Sequence, residues 1–144
     1  MITLQKITKE NFRDVLFLEM TDADKRMVAS NMYSIAESSV NPHYKPRAIY
    51  NDDQLIGFMM YHYVPVEEQG FVSRMMITTK EQGNGYAGQA LMLAIKDLKQ
   101  ETNIKSVQIS YHIENEKARK AYQKVGFIET GEIDDDERIA IYPL

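Results

Sequence analysis

Apolar residues between positions 87 and 98 fall on one stripe of helical period: Ala87, Ala90, Leu91, Ala94, Ile95 and Leu98 recur at i, i+3, i+4, i+7, i+8 and i+11. That spacing predicts a helix with one buried face. Val107, Ile109 and Tyr111 instead alternate with Gln108, Ser110 and His112, which predicts a short half-buried strand. Residues 47–50, 55–64 and 71–77 read as an antiparallel meander, separated by the tight turn Asn51-Asp52-Asp53 and by residues 65–70. A strand, a helix and a strand in succession over residues 71–111 imply parallel pairing of those two strands.

Upstream, residues 2–7 alternate weakly and predict a first strand, followed by a short helix over residues 9–17. Thr21-Asp22-Ala23-Asp24 places a hydroxyl before acids in a first turn, the layout of a helix start, and predicts a second helix running to Ser38. Pro42 and Pro46 end that helical stretch, because each removes a donor and disfavours helix in the residue before it. Asn115 can cap a last helix, whose Ala118, Ala121, Tyr122 and Val125 keep helical spacing and whose end is marked by Gly126. Residues 127–133 and 138–142 then predict a terminal hairpin about the acidic turn Asp134-Asp135-Asp136-Glu137.

Composition narrows the function classes. A chain of 144 residues, 44% hydrophobic and 26% charged, suits one domain over residues 1–144 with one core. No apolar run approaches a membrane span and the first residues lack a signal-peptide layout, so a cytoplasmic protein with no membrane partner is expected. The absence of cysteine excludes disulfides, thiolate zinc sites and cysteine nucleophiles. His43, His62 and His112 have no metal-ligand spacing, so no metal is expected. A net charge of -4 and a pI near 5.4 argue against nucleic acid and suit a cationic partner.

The turn Gln82-Gly83-Asn84-Gly85-Tyr86-Ala87 carries the main chemical signal, because it joins a strand to the amphipathic helix. Glycines there let the backbone curl and present its amides, and a helix N-terminus favours an anion such as phosphate. A P-loop is excluded, since Tyr86 and Ala87 stand where Lys and Ser or Thr are needed. Gly83, Gly85 and Gly88 do match the dinucleotide string G-x-G-x-x-G, but half the chain precedes them and does not read as parallel repeats.

The meander, the turn residues Gln82, Gly85 and Ala87, and then Asn115, Tyr122 and Gly126-Phe127 at their spacing together resemble the GNAT acetyltransferase superfamily over essentially the whole chain. Within it, Tyr33-Ser34-Ile35-Ala36-Glu37-Ser38 and Gly57-Phe58-Met59-Met60-Tyr61 resemble the bacterial spermine/spermidine acetyltransferases. The resemblance implies a mixed α/β domain of about four helices, with an antiparallel start to its sheet and two splayed parallel strands. It also implies acetyl transfer from acetyl-coenzyme A to a primary amine by direct attack. Relatives often pair, so a homodimer is a candidate assembly, although the chain carries no interface signature.

By the same resemblance, the amides of Gly83, Asn84, Gly85, Tyr86 and Ala87, with Gln82, receive the pyrophosphate, and the backbone of Met75, Met76 and Ile77 pairs with the pantetheine arm. Tyr122 donates a proton to the departing sulfur, against the plain alternative of a core aromatic. Asn115 bonds the pantetheine arm as well as capping its helix. Some polyamine acetyltransferases carry a glutamate four residues ahead of the position of Ile77, where this chain has Ser73. Glu37 is therefore the candidate for holding or deprotonating the amine, with Tyr61, Ser73, Glu67 and Glu68 nearby in the scheme. His62 and the acidic run at residues 132–137 are read as structural, the latter as a solvated turn. Arg74 stays open between a ligand contact and a packed, paired arginine. Rival readings are another acceptor (an aminoglycoside, a small amine or a protein N-terminus), a non-catalytic cofactor sensor, and a structural interaction protein.

Overall fold

The computed structural model describes residues 1–101 and 103–144. Among these residues seven strands form one sheet in the order β1-β2-β3-β4-β5-β7-β6, where β1 is Ile2–Lys6, β2 Lys45–Asn51, β3 Gln54–Val64, β4 Gln69–Ile77, β5 Ser106–His112, β6 Ile128–Asp134 and β7 Glu137–Pro143. Every pairing is antiparallel except β4 with β5. The expected meander and terminal hairpin are both present. Pro46 lies inside β2, beyond the last residue that β1 pairs, so its missing N–H leaves no gap in that ladder.

Helices cover both faces. α4 (Tyr86–Lys99) buries Ala90, Leu91, Ala94, Ile95 and Leu98 against Ile49, Ile56, Met59 and Val72 of the sheet, with α5 (Glu116–Val125) beside it. On the opposite face, the sheet residues Ala48, Phe58, Met60 and Met76 form a second core with Val15 of α1 (Phe12–Leu16). Burying a full aliphatic side chain contributes about 1.5–3 kcal/mol, so the α4 stripe is a main source of stability. Gly57 shows how closely β3 and β4 approach, because a Cβ there would run into the Met76 carbonyl.

Two expectations need correction. The predicted helix from Thr21 to Ser38 is two helices, α2 (Asp22–Lys25) and α3 (Asn31–Ser39). Thr21 caps the first by accepting from the Asp24 N–H at 3.1 Å, and Ser30 caps a new start by accepting from the Tyr33 N–H at 3.0 Å. Among the described residues the α-helices thus number five, where about four were expected. The predicted helix over residues 9–17 shortens to α1, whose N-cap position is Asn11. Among the described residues no helix is long and apolar enough to cross a membrane.

The parallel contact positions the site. β4 and β5 pair only from Gln69 with Ser106 to Val72 with Ile109, after which β4 continues along β3 and β5 along β7. Beyond Val72 the two strands part, leaving a gap in the middle of the sheet.

Candidate active site

Two clefts meet at that gap. The first has a volume of about 700 Å³ and runs from Met75, Met76 and Ile77 past the glycine turn to the α5 face bearing Asn115 and Tyr122. The second, about 480 Å³, lies between residues 26–29, residues 72–75 of β4, residues 109–112 of β5 and the β6–β7 turn. Val28, Met75, Asn115 and Tyr122 line both.

The turn owes its shape to backbone conformation. Gly83 (φ 83°) and Gly85 (φ 79°) are both left-handed, while nothing lies within 4 Å of where a Cβ would sit. The glycines are needed for the dihedrals, not for space. Gly85 is the N-cap of α4 and no side chain caps that helix, so its first N–H groups remain available to an anion. Asn84 Nδ2 donates to the Glu81 carbonyl at 3.1 Å, drawing the turn closed. The Tyr86 hydroxyl accepts from Asn51 Nδ2 at 3.2 Å, which ties the start of α4 to β2, and Ala87 lines the cleft.

Gln82 works as a clamp. Its Nε2 donates to the Ile77 carbonyl at 2.9 Å and to Asp24 Oδ2 at 3.2 Å, while its Oε1 accepts from Lys117 Nζ at 3.1 Å. One side chain therefore joins the end of β4, α2 and α5 around the turn. Burial pushes the Asp24 carboxyl up, but hydrogen bonds from Gln82 and Lys117, the lysine charge and the Thr21 hydroxyl outweigh it and hold Asp24 below the usual carboxylate range.

Tyr122 stands where the clefts join. Its ring meets Tyr111 edge-on, with centroids 5.4 Å apart and planes at 69°. Only 7% of the residue is exposed, and among the described residues no hydrogen bond occupies its hydroxyl. Burial, helped by neighbouring Tyr111, pushes its pKa well up, so it stays a neutral phenol with a proton to give. Asn115 Oδ1 accepts from the Ala118 N–H at 3.1 Å, capping α5, and the same residue lines both clefts.

On the other side, Ser73 is the extra residue of a β-bulge: Met60 faces Arg74 and Tyr61 faces Val72, leaving Ser73 without a register partner. Its Oγ donates to the Met60 carbonyl at 3.2 Å, and it lines the second cleft. Glu37 does not line that cleft. It accepts from Arg74 Nη2 at 3.1 Å, so the acid expected to face the amine is neutralised by the arginine that does line it.

Tyr61 must be withdrawn from the substrate site. It is 1% exposed, lies in the core beneath α4, and its hydroxyl donates to Asp97 Oδ2 at 2.7 Å. Glu68 pairs with Lys105 at 2.7 Å, and neither it nor Glu67 lines either cleft. His62 is stacked between Tyr44 (4.2 Å) and Phe71 (5.1 Å). Burial, with Arg74 and His43 adding to it, lowers its pKa to about 4, so it is a neutral structural ring.

Asp135 and Glu137 are the acids that do line the second cleft. They come from the run read as a solvated turn. No local signal marks them, because they reach the cleft only through β7 inserting between β5 and β6.

A glycine turn at an uncapped helix start, beside a gap between parallel strands and a neutral buried tyrosine, defines a cofactor-dependent acyl-transfer site. Residues 5–127 match the sequence model of the Acetyltransferase (GNAT) family, and the chain belongs to that family. It is an acetyltransferase, and the acyl donor of the family is acetyl-coenzyme A. The chain is 25% identical over 150 aligned positions to the spermine/spermidine N(1)-acetyltransferase of Bacillus subtilis (strain 168), covering 99% of each. Its fold matches an acetyltransferase from Thermus thermophilus with a TM-score of 0.80 at 17% identity, over 99% of this chain and 97% of the other. It also matches the spermidine N-acetyltransferase of Vibrio cholerae, solved with CoA and spermine, with a TM-score of 0.73 at 14% identity, over 99% and 94%.

Proposed function

We propose that this protein acetylates a primary amine of a polyamine such as spermidine, using acetyl-coenzyme A, by direct attack at the junction of the two clefts. The observation that carries the reading is the placing of Tyr122, which lines both the cleft that fits the cofactor and the cleft left for an amine. The resemblance to a spermine/spermidine acetyltransferase and the carboxylates of Asp135 and Glu137 on the second cleft support the polycationic acceptor.

In this mechanism the first-turn amides of α4, with those of Gly83, Asn84 and Gly85, hold the pyrophosphate, the helix dipole adds to them, and Lys117, Lys120 and Lys124 of α5 line the same cleft. The backbone of Met75, Met76 and Ile77, on the side of β4 that β5 has left, pairs with the extended pantetheine arm as an added strand would, and Asn115 bonds it from α5. Bound acetyl-coenzyme A supplies the activated thioester. As the amine nitrogen bonds to the acetyl carbon the carbon–sulfur bond breaks, Tyr122 gives its proton to the departing sulfur, and a proton from the amine, returned through water, restores the phenol. Ser73 and the carboxylates of Asp135 and Glu137 orient the amine, and its proton leaves through water, since Glu37 is engaged by Arg74 and His62 is enclosed by rings.

Arg26 and Arg74 also line the second cleft, which favours a second reading: a small amine bearing an anionic group as well. Thiol release from acetyl-coenzyme A, measured over spermidine, spermine, an aminoglycoside, amino acids and a peptide N-terminus, separates the two. Preferred turnover of spermidine or spermine upholds the first reading, and preferred turnover of a zwitterionic amine replaces it with the second.

A further inference from the structure

We infer that Tyr111, tethered by Glu129 and Arg119, is a positioning residue that sets the orientation of Tyr122; the inference rests on the reading of Tyr122 as the proton donor. Tyr111 sits near the end of β5, and the edge-on contact at 5.4 Å joins its ring to that of Tyr122. Its hydroxyl does not turn to the reacting centre. It donates to Glu129 Oε1 on β6 at 2.7 Å. The same carboxylate accepts from Arg119 Nε at 2.7 Å and Nη2 at 3.2 Å, a bidentate contact from α5. Arg119 lies three residues before Tyr122, so one carboxylate fastens β5, β6 and the helix turn that carries the phenol.

Such a brace is needed because, among the described residues, the Tyr122 hydroxyl has no hydrogen-bond partner. The torsion that turns a tyrosine ring is broad, and a hydroxyl without a partner gives no directional restraint. Packing must fix the ring, and an edge-to-face aromatic contact has the necessary geometric preference. Tyr111 is in turn fixed by an ionised acceptor, since its hydrogen bond and that of Arg119 hold the Glu129 carboxyl below its usual range. The chain of contacts thus runs from the Arg119–Glu129 pair through the Tyr111 ring to the Tyr122 ring.

The test is a double-mutant cycle on turnover with the best amine of the panel. Tyr111→Leu is expected to lower kcat about tenfold and Glu129→Gln about threefold, each leaving the KM for acetyl-coenzyme A within about twofold. In a Tyr122→Phe background both effects should vanish, which a merely structural role would not produce. If Tyr111→Leu fails to fold, Glu129→Gln, at the periphery of β6, carries the same comparison. Unchanged kcat in the single variants, or an equal loss in both backgrounds, overturns the positioning role while leaving Tyr122 as the donor. Full turnover by Tyr122→Phe alone overturns the donor reading and this inference together.

Discussion

The two clefts that share Tyr122 are built from different materials. In the proposed reading the first cleft holds the cofactor through main chain, at left-handed Gly83 and Gly85, the open start of α4 and the side of β4 that β5 leaves beyond Val72. Its residues come from the contiguous strand, turn and helix of residues 75–92 and from the α5 segment at residues 115–125, with Met20, Asp24 and Val28 beside them. The second cleft, proposed for the acceptor, is collected from residues 26–29, 72–75, 109–112 and 135–137. Main-chain donors suit a ligand part that never changes, whereas side chains gathered from four segments can be exchanged without disturbing the fold. In the proposed mechanism that division puts acyl-donor chemistry in the scaffold and acceptor choice in its attachments.

The largest test of that division is Tyr122→Phe, at the boundary. It should lower kcat at least about tenfold with little change in acetyl-coenzyme A affinity, measured by steady-state kinetics and calorimetry; unchanged turnover would remove the acid from the scheme. Gly85→Val comes next, since a β-branched residue is forced into the left-handed region at φ 79°. Its KM for acetyl-coenzyme A should rise about tenfold while relative rates across the amine panel stay the same. A change in amine preference would show that the clefts are not separable.

The complementary change, Asp135→Asn with Glu137→Gln, should raise the KM for spermidine about fivefold and leave the acetyl-coenzyme A KM unaltered. Equal KM for spermidine in variant and parent would assign those acids to the solvent. The smallest expected effect is a pH dependence in the Gln82 clamp. Asp24 has its pKa lowered in the folded state, so its contribution to stability is present above the ordinary value of 3.8 and is lost as pH falls through the folded value. Thermal melts of Asp24→Asn should therefore lie below the parent near neutrality and converge with it in acid. Parallel curves at every pH would deny Asp24 that role.

Legibility in the amino-acid sequence divides along the same line. The α4 stripe, the glycine turn, the Asn115 cap and the β2–β4 meander are local patterns, each complete within a few residues. The two-sided core hides more. Residues 56–61 of β3 are buried on both faces, so they form an unbroken apolar run with no alternation to tell one face from the other. Tyr61 thereby reads as facing the substrate, though it belongs beneath α4. Ser30 escapes notice as a cap because Thr21 already supplies one upstream. The pairing of Glu37 with Arg74, and the arrival of Asp135 and Glu137 at the cleft, depend on strand order and on contacts across long stretches of chain.

The most direct measurement of the central claim is a crystal structure of the protein with coenzyme A and spermidine. The pyrophosphate is expected on the amides of residues 83–87, the amine among Ser73, Asp135 and Glu137, and the sulfur about 3.5 Å from the Tyr122 hydroxyl, within the reach of a sulfur hydrogen bond. A nucleotide bound away from the glycine turn, or a sulfur out of reach of Tyr122, would contradict it.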